Sequence, residues 1–203
     1  KQMPVHEDSK NAISFIEKSH RAGRPFFINL WLHEPHTPFH TVPKYRQRFP
    51  KLGERDNIYA SVLSHADDRI GEVLNALDRL KLTDRTLVIF SSDNGPARAG
   101  RRAKLESMYD SATGEGFNVA ASKGITGGRK GYKAALFEGG VGVPFIARWP
   151  GKIAAGKIDR TSIFSAVDLL PTFCEIAGVK LPASYQPDGV SQLPTLRGKG
   201  KSL

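Results

Sequence analysis

The sequence has 203 residues and a formal net charge of +10. This length suits one α/β domain with a sizeable core, and no apolar run reaches the roughly 18 residues that a membrane-spanning helix needs. Because Cys174 is the only cysteine, an internal disulfide is excluded and the redox compartment cannot be read. The positive charge favours anionic partners: nucleic acid, acidic polysaccharide, or substrates that carry sulfate or phosphate.

The first eighty residues predict two helices and one strand. Residues 8–22 carry apolar side chains at helical spacing, and so do residues 57–80. Phe26 to Leu32 is apolar almost throughout and is bounded by two prolines, which predicts a short buried strand. The opening K-Q-M-P-V-H-E-D has neither an initiator methionine nor the apolar stretch of a signal peptide. We therefore expect the chain to start inside a larger protein, and the sequence leaves the compartment unknown.

The second part of the chain adds strands and a further helix. Strands are predicted at residues 86–92 and 143–149, and a helix at 165–177 that Gly178 ends. A strand, a long helix and a second strand in that order indicate a βαβ unit. The sequence thus predicts an α/β fold, with a mostly parallel sheet flanked by helices. Residues 96–131 have no clear period and predict a long functional or disordered loop.

Candidate site residues follow the predicted strands. His33 and His36 follow the first strand in H-E-P-H-T-P, and Asp93 and Asn94 follow the second in S-S-D-N-G. Ligands of open α/β sheets bind at the carboxyl ends of strands, and adjacent carboxylate and carboxamide oxygens suit Ca²⁺ or Mg²⁺. Lys133 can reach an anion as a point charge. Taken singly, each is better explained by a loop histidine, a turn or a surface lysine.

Two further residues are interpreted as structural. Glu138, which precedes a Gly-Gly pair, could bind metal but is better explained by holding a turn. Cys174 lies in an amphipathic helix and is interpreted as a small core residue. A basic cluster near Arg101 lacks the interleaved aromatic side chains of a nucleic-acid platform, so nucleic acid is disfavoured as a partner.

The motifs taken together resemble the sulfatase family of the alkaline phosphatase superfamily. The resemblance rests on H-x-P-H-x-P, S-D-N-G, K-x-x-L-F-E-G-G, V-P-F-I-x-R-W-P-G-K, A-V-D-L-L-P-T-F and D-G-V-S-Q-L-P-T-L in that order. It runs from about residue 10 to the end of the sequence. It implies a partial alkaline-phosphatase-like sandwich and hydrolysis of sulfate esters, whether small molecules or sulfated glycans.

The resemblance also implies roles for four residues. Asp93 and Asn94 match two ligands of a divalent cation, usually Ca²⁺, with Mg²⁺ as the alternative. His36 matches the histidine that contacts the sulfate or its leaving oxygen, and Lys133 matches the lysine that binds a sulfate oxygen. A cation and a lysine would offset charge on the transferred group, and an imidazole could donate a proton to the departing alkoxide.

The sequence departs from the family in what it lacks. The family's formylglycine nucleophile arises from C-x-P-x-R, and no such motif occurs in these 203 residues. The upstream aspartate pair of the metal site and the small C-terminal subdomain have no counterpart either; Asp67 and Asp68 lie mid-helix and are rejected as substitutes. Residues 1–203 are therefore interpreted as part of one sulfatase catalytic domain, and we expect the 203-residue polypeptide alone to have no sulfatase turnover.

Two alternatives remain open from the sequence. One is a phosphoester or phosphonate hydrolase of the same superfamily, which the upstream nucleophile would distinguish. The other is a non-catalytic binder of acidic polysaccharide that uses the +10 charge. The particular sulfate ester and the oligomeric state cannot be derived from these residues.

Overall fold

The computed structural model describes residues 4–98 and 122–199. Its two strands are β1 (Val88–Ser91) and β2 (Phe145–Arg148), which pair in a two-stranded sheet. No helix in these described ranges is long and apolar enough to cross a membrane. The helices are α1 (Pro4–Arg21), α2 (Pro43–Arg46), α3 (Glu54–Arg79), α4 (Glu138–Val141), α5 (Leu169–Ala177) and α6 (Leu193–Leu196).

The chain divides into two compact units. The first comprises Lys1–Leu82 and Ser91–Phe145, and the second comprises Thr83–Phe90 and Ile146–Leu203. All four residues to which the sequence assigns a chemical role, His36, Asp93, Asn94 and Lys133, belong to the first unit. The candidate site can therefore be described within that unit.

Helices α1 and α3 pack against each other in the first unit. The buried face of α1 repeats every three or four residues, which is the spacing of one helical face. Helix α3 buries eight residues along its length, including Ile58, Val62 and Ala66. Both predicted helices are confirmed, each beginning a few residues earlier than the sequence indicated. The buried residues of α1 are Ser9, Ala12, Ile16 and Ser19.

The first half of α3 anchors the segment that follows the histidines. Phe39, Ile58 and Val62 form a buried apolar cluster, with Tyr59 partly buried against it. The Asn57 side chain donates hydrogen bonds to the carbonyls of Arg46 and Phe49, at 2.9 and 2.8 Å. A buried amide that satisfies two loop carbonyls fixes that loop on the helix, because leaving those groups unpaired would be costly.

The predicted strand from Phe26 to Leu32 is not found. Residues 24–33 are assigned to neither helix nor strand. Exposure alternates along them, and Phe27 and Trp31 are 65% and 80% exposed. The prediction of a short buried strand was therefore wrong, both in the secondary structure and in the burial. A strand is defined by its hydrogen-bonded neighbour, and no neighbour is assigned to this segment in the described residues.

The other two strand predictions are confirmed, with shorter bounds. β1 covers four of the seven residues predicted at 86–92, and β2 begins directly after Pro144. Proline lacks an N–H donor and is tolerated at the start of a strand. The helix predicted from residue 165 begins as a 3-10 turn and continues as α5, and Gly178 ends it in the left-handed conformation at φ 67°.

Asp168 joins two motifs of the second unit. Its carboxylate accepts the Ser165 N–H and the Val190 N–H, both at 2.9 Å, and the side chain is buried. Below it, the Thr172 hydroxyl donates to the Asp168 carbonyl at 2.6 Å and accepts the Gln192 N–H at 2.8 Å. A-V-D-L-L-P-T-F and D-G-V-S-Q-L-P-T-L are thus two halves of one hydrogen-bonded structural core.

Candidate active site

Three loop segments meet beside Asp93 and Asn94. The Gly95 N–H donates to the Gly140 carbonyl at 2.8 Å, and the Lys133 N–H donates to the Pro96 carbonyl at 2.9 Å. The Gly139 N–H donates to the Lys130 carbonyl at 2.7 Å. These backbone bonds hold S-D-N-G, the lysine loop and E-G-G together. We call Gly95, Gly131, Gly139 and Gly140, which lie at this junction, the glycine cluster.

The glycine cluster leaves no space for side chains. A Cβ on Gly95 would lie 1.9 Å from the Gly139 carbonyl oxygen, and one on Gly140 would lie 2.0 Å from that of Ala135. A Cβ on Gly139 would lie 2.3 Å from the Gly131 carbonyl oxygen. Each distance is far below van der Waals contact. The opposing atoms belong to the backbone, and moving them would disrupt the packing of the loops. The glycines of S-D-N-G and E-G-G are therefore packing requirements as well as turn residues.

Asp93 and Asn94 are oriented by their own turn. One carboxylate oxygen of Asp93 accepts the Asn94 N–H at 2.9 Å, and the Asn94 side-chain nitrogen donates to the Gly95 carbonyl at 2.9 Å. The Ser92 hydroxyl donates to the Asn94 carbonyl at 3.0 Å. Because the side-chain nitrogen of Asn94 donates to Gly95, the side-chain oxygen of Asn94 is on the opposite side of the amide group from that hydrogen bond. Asp93 is exposed and Asn94 half-buried.

The donor set of this turn fits a hard divalent cation in part. A carboxylate and a carboxamide oxygen on adjacent residues are ligands that Ca²⁺ and Mg²⁺ accept, but Ca²⁺ takes six to eight oxygens. Within residues 4–98 and 122–199, no group of three or more His, Cys, Asp or Glu side chains could hold a metal ion. Asp93 and Asn94 would therefore supply two ligands of a larger set.

Lys133 and Glu138 lie on the two loops that the glycine cluster holds together. Lys133 is exposed, and its backbone bond to Pro96 fixes it beside the turn that carries Asp93. Glu138 is exposed and begins α4, where its carbonyl accepts the Gly142 N–H at 2.8 Å. The structure thus brings Lys133, Asp93 and Asn94 onto one backbone framework.

The H-E-P-H motif forms a tight turn on a different part of the unit. The His36 N–H donates to the His33 carbonyl at 2.9 Å, and both imidazoles are exposed with ring centroids 6.1 Å apart. The Nδ1 atom of His36 lies 2.7 Å from the Thr37 carbonyl oxygen. A carbonyl only accepts, so Nδ1 carries the proton, and Nε2 is the atom left for chemistry.

Tyr59 on α3 contacts the segment that follows the histidines and also lies near Gly124. The Phe39 ring, three residues after His36, packs edge-on against Tyr59 with centroids 5.9 Å apart. The absent Cβ of Gly124 would contact both the Tyr59 hydroxyl, at 3.2 Å, and Pro96, at 2.4 Å. Partial burial raises the pKa of the Tyr59 phenol, which keeps it neutral within this contact.

Sequence reasoning missed two side chains beneath the histidines. Glu34 is buried, and its carboxylate lies 3.8 Å from Nδ1 of His65 on α3. The acidic residue within the histidine-proline loop is visible in the sequence, but the sequence does not show that it pairs with a histidine 31 positions away.

Cys174 is a half-buried free thiol in α5. It lies far from the site residues in the sequence and belongs to the other unit. Of the basic cluster, only Arg98 lies within the described residues.

The comparisons with known proteins agree on one family. The family model for Sulfatase matches residues 7–179. The chain belongs to the sulfatase family. It is 34% identical over 191 residues to the N-acetylgalactosamine-6-O-sulfatase of Bacteroides thetaiotaomicron, covering 94% of this chain and 34% of the relative. It is 36% identical over 180 residues to arylsulfatase A of Bos taurus, covering 89% of this chain and 30% of that protein.

Solved sulfatase structures share the fold of the chain. The crystal structure of Ps i-CgsB in complex with k-i-k-neocarrahexaose matches 98% of the chain with a TM-score of 0.78 and 28% identity. PsFucS1 sulfatase from Pseudoalteromonas sp. matches 96% with a TM-score of 0.76 and 27% identity. The predicted partial alkaline-phosphatase-like α/β fold is therefore confirmed. The chain covers only 39% and 34% of these two structures, about a third of a sulfatase.

Proposed function

We propose that the protein containing this chain hydrolyses sulfate esters, with His36 and Lys133 contacting the sulfate and Asp93 and Asn94 binding Ca²⁺, or alternatively Mg²⁺. The observation that carries this proposal is the 2.9 Å bond between the Lys133 N–H and the Pro96 carbonyl. It ties a cationic side chain to the turn that bears two oxygen ligands. Such a pairing suits an oxyanionic group such as a sulfate ester more than a neutral substrate.

In this proposal each residue has one task. The bound cation would offset negative charge on the transferred sulfate. Lys133 would hold a sulfate oxygen as a point charge. As a nucleophile oxygen from outside these residues bonds to the sulfur, the S–O bond to the ester oxygen would break; that oxygen leaves with the electron pair, and His36 would supply its proton from Nε2. Because Nδ1 already donates to Thr37, this step requires the doubly protonated imidazolium. The family's formylglycine would come from outside the positions that this chain supplies.

Sulfated glycans are the substrate class that we propose. A relative at 34% identity is named for N-acetylgalactosamine-6-O-sulfate, and a structural neighbour is described in complex with k-i-k-neocarrahexaose. The charge of +10 suits a polyanion. Exposed cations lie on the segments that form the glycine cluster; they are Arg98, Arg129, Lys130 and Lys133.

The test compares variants of the complete protein on a sulfated hexose and on a sulfated oligosaccharide, with and without Ca²⁺. We expect Asp93→Ala and Lys133→Ala each to lower kcat/KM by about 100-fold or more, as loss of a transition-state charge contact does. Lys51→Ala removes one exposed cation of the same unit and is expected to retain activity. The oligosaccharide should show the higher kcat/KM, and added salt should lower it.

Other outcomes favour the alternatives. Faster turnover of phosphate or phosphonate esters than of sulfate esters would establish the phosphoester or phosphonate hydrolase. Binding of acidic polysaccharide with no turnover, whichever metal ion is added, would establish the non-catalytic polysaccharide-binding protein. Equal activity of Lys133→Ala and Lys51→Ala would contradict the role proposed for Lys133.

A further inference from the structure

The acidic residue of the H-E-P-H turn points into the protein, while the histidines on both sides of it point outward. The Glu34 side chain is 5% exposed and the facing His65 side chain 7%, with 3.8 Å between Oε1 of Glu34 and Nδ1 of His65. His33 and His36 are both exposed. The turn therefore has a buried side, which Glu34 occupies, and a solvent side, which presents His36.

A carboxylate buried in this way requires compensation. Removing an ion from water is expensive unless an opposite charge or hydrogen bonds replace the hydration. Neither the Oε2 atom of Glu34 nor the Nδ1 atom of His65 has a hydrogen-bond partner from the described part of the chain. The ring of Tyr45 packs edge-on against His65 at 5.1 Å, but its hydroxyl donates to Asp68. His65 is thus the polar side chain that the structure places beside the buried Glu34 carboxyl group.

Because Glu34 lies within the turn, its contact with His65 can fix the position of His36. Glu34 and Pro35 are the two central residues between the His33 carbonyl and the His36 N–H, which are joined at 2.9 Å. An anchor on a central residue fixes the plane of the whole turn. His65 lies on α3, the longest helix, so the anchor is on a rigid element.

We propose that Glu34 and His65 are positioning residues, which clamp the H-E-P-H turn on α3 so that the His36 imidazole is held toward the substrate. This inference rests on the proposed function, because it takes His36 to be the proton donor. Neither Glu34 nor His65 touches the reacting atoms. They affect the orientation of the His36 imidazole. The loss of activity should therefore be largest for substrates whose leaving oxygen needs a proton.

The experiment uses the complete protein and two probes, 4-nitrophenyl sulfate and a hexose 6-sulfate. A nitrophenolate leaves without much proton transfer, whereas a sugar alkoxide needs its proton. We expect Glu34→Gln and His65→Gln each to lower kcat on the hexose ester by about tenfold, with a change below about threefold on the nitrophenyl ester and little change in KM. The double variant should lose no more than either single variant, since one contact is removed.

A control and a reference variant accompany these measurements. Ser61→Ala removes a buried hydroxyl one turn before His65 that donates only to the Ile58 carbonyl, and it should leave both probes unaffected. His36→Ala should show the same preference for the nitrophenyl ester more strongly. Equal losses on both probes, or additive losses in the double variant, would overturn the clamp. Should Glu34→Gln prove unstable, His65→Gln supplies the same test from the helix side.

Amide exchange separates failure of the clamp from failure of the proposed function. If His36→Ala shows no dependence on the leaving group, His36 is not the proton donor. The clamp is then decided by exchange of the His36 amide, which we expect to quicken about tenfold in Glu34→Gln. Unchanged exchange would overturn the clamp, whatever the activities are.

Discussion

The two parts of the candidate site are held in different ways. The turn that carries His36 is held by side chains: Glu34 against His65, and Phe39 against Ile58, Val62 and Tyr59. The glycine cluster beside Asp93 and Lys133 is held by backbone hydrogen bonds and by the absence of side chains. Graded changes are possible in the first arrangement, because side chains can be shortened or repacked. In the second arrangement any added side chain collides with backbone atoms, so small graded changes are not available.

The difference follows from what each part has to do. A residue proposed to move a proton must reach the substrate at a defined angle, and a side-chain anchor beneath a turn can set that angle. The residues proposed to bind a cation and a sulfate oxygen must lie close together, and only bare backbone lets their three loops approach so closely. The comparison therefore predicts how each part responds to substitution.

The largest effect is expected at the glycine cluster. Gly95→Ala would drive a methyl group to 1.9 Å from the Gly139 carbonyl oxygen, so the loops must separate. We expect at least about 3 kcal/mol of lost stability, with loss of activity, measured by denaturant unfolding of the complete protein. Gly71→Ala is the matched control: no atom lies within 4 Å of its added Cβ, and helix propensity predicts a gain of about 0.5 kcal/mol or more. Similar results for the two variants would break the comparison.

A smaller, graded effect is expected beneath the His36 turn. Phe39 is 2% exposed, and Phe39→Leu keeps an apolar side chain while it removes the edge-on contact with Tyr59. We expect a loss of about 1 to 2 kcal/mol. Amide exchange should quicken at His36 and stay unchanged at Gly95 and Gly140. Equal quickening at the glycine cluster would mean that the two parts are not independently held.

The smallest effect is expected at the surface pair that supports Tyr45. Hydrogen bonds from Arg48 and from the Tyr45 hydroxyl lower the pKa of Asp68. A lowered pKa in the folded state contributes stability above the unfolded pKa, and this contribution is lost as the pH falls through the folded value. Asp68→Asn should therefore cost below about 1 kcal/mol at pH 7, and the difference should fade below about pH 4. A difference that persists in acid would show that shape rather than charge matters here.

The sequence by itself predicted helices α1, α3 and α5, the strands β1 and β2, the fold class and the family. Helical spacing over 57–80 and the turn glycine at 178 are local signals, because a helix and its end depend on residues within a few positions of each other. The order of motifs from H-x-P-H to E-G-G was specific enough to predict the sulfatase family, which the comparisons confirm. The chemical roles of His36, Lys133, Asp93 and Asn94 stay predictions.

Only the tertiary structure decided which residues hold the site together. Glu34 and His65 are 31 positions apart in the sequence, and the spacing of apolar residues does not predict a contact between them. The need for glycine at 95, 139 and 140 comes from backbone oxygens of other loops, which a sequence pattern cannot display. The same reason explains the wrong strand at Phe26 to Leu32. Apolar composition predicts extended chain, whereas a strand also needs a neighbour, and neighbours are a property of the fold.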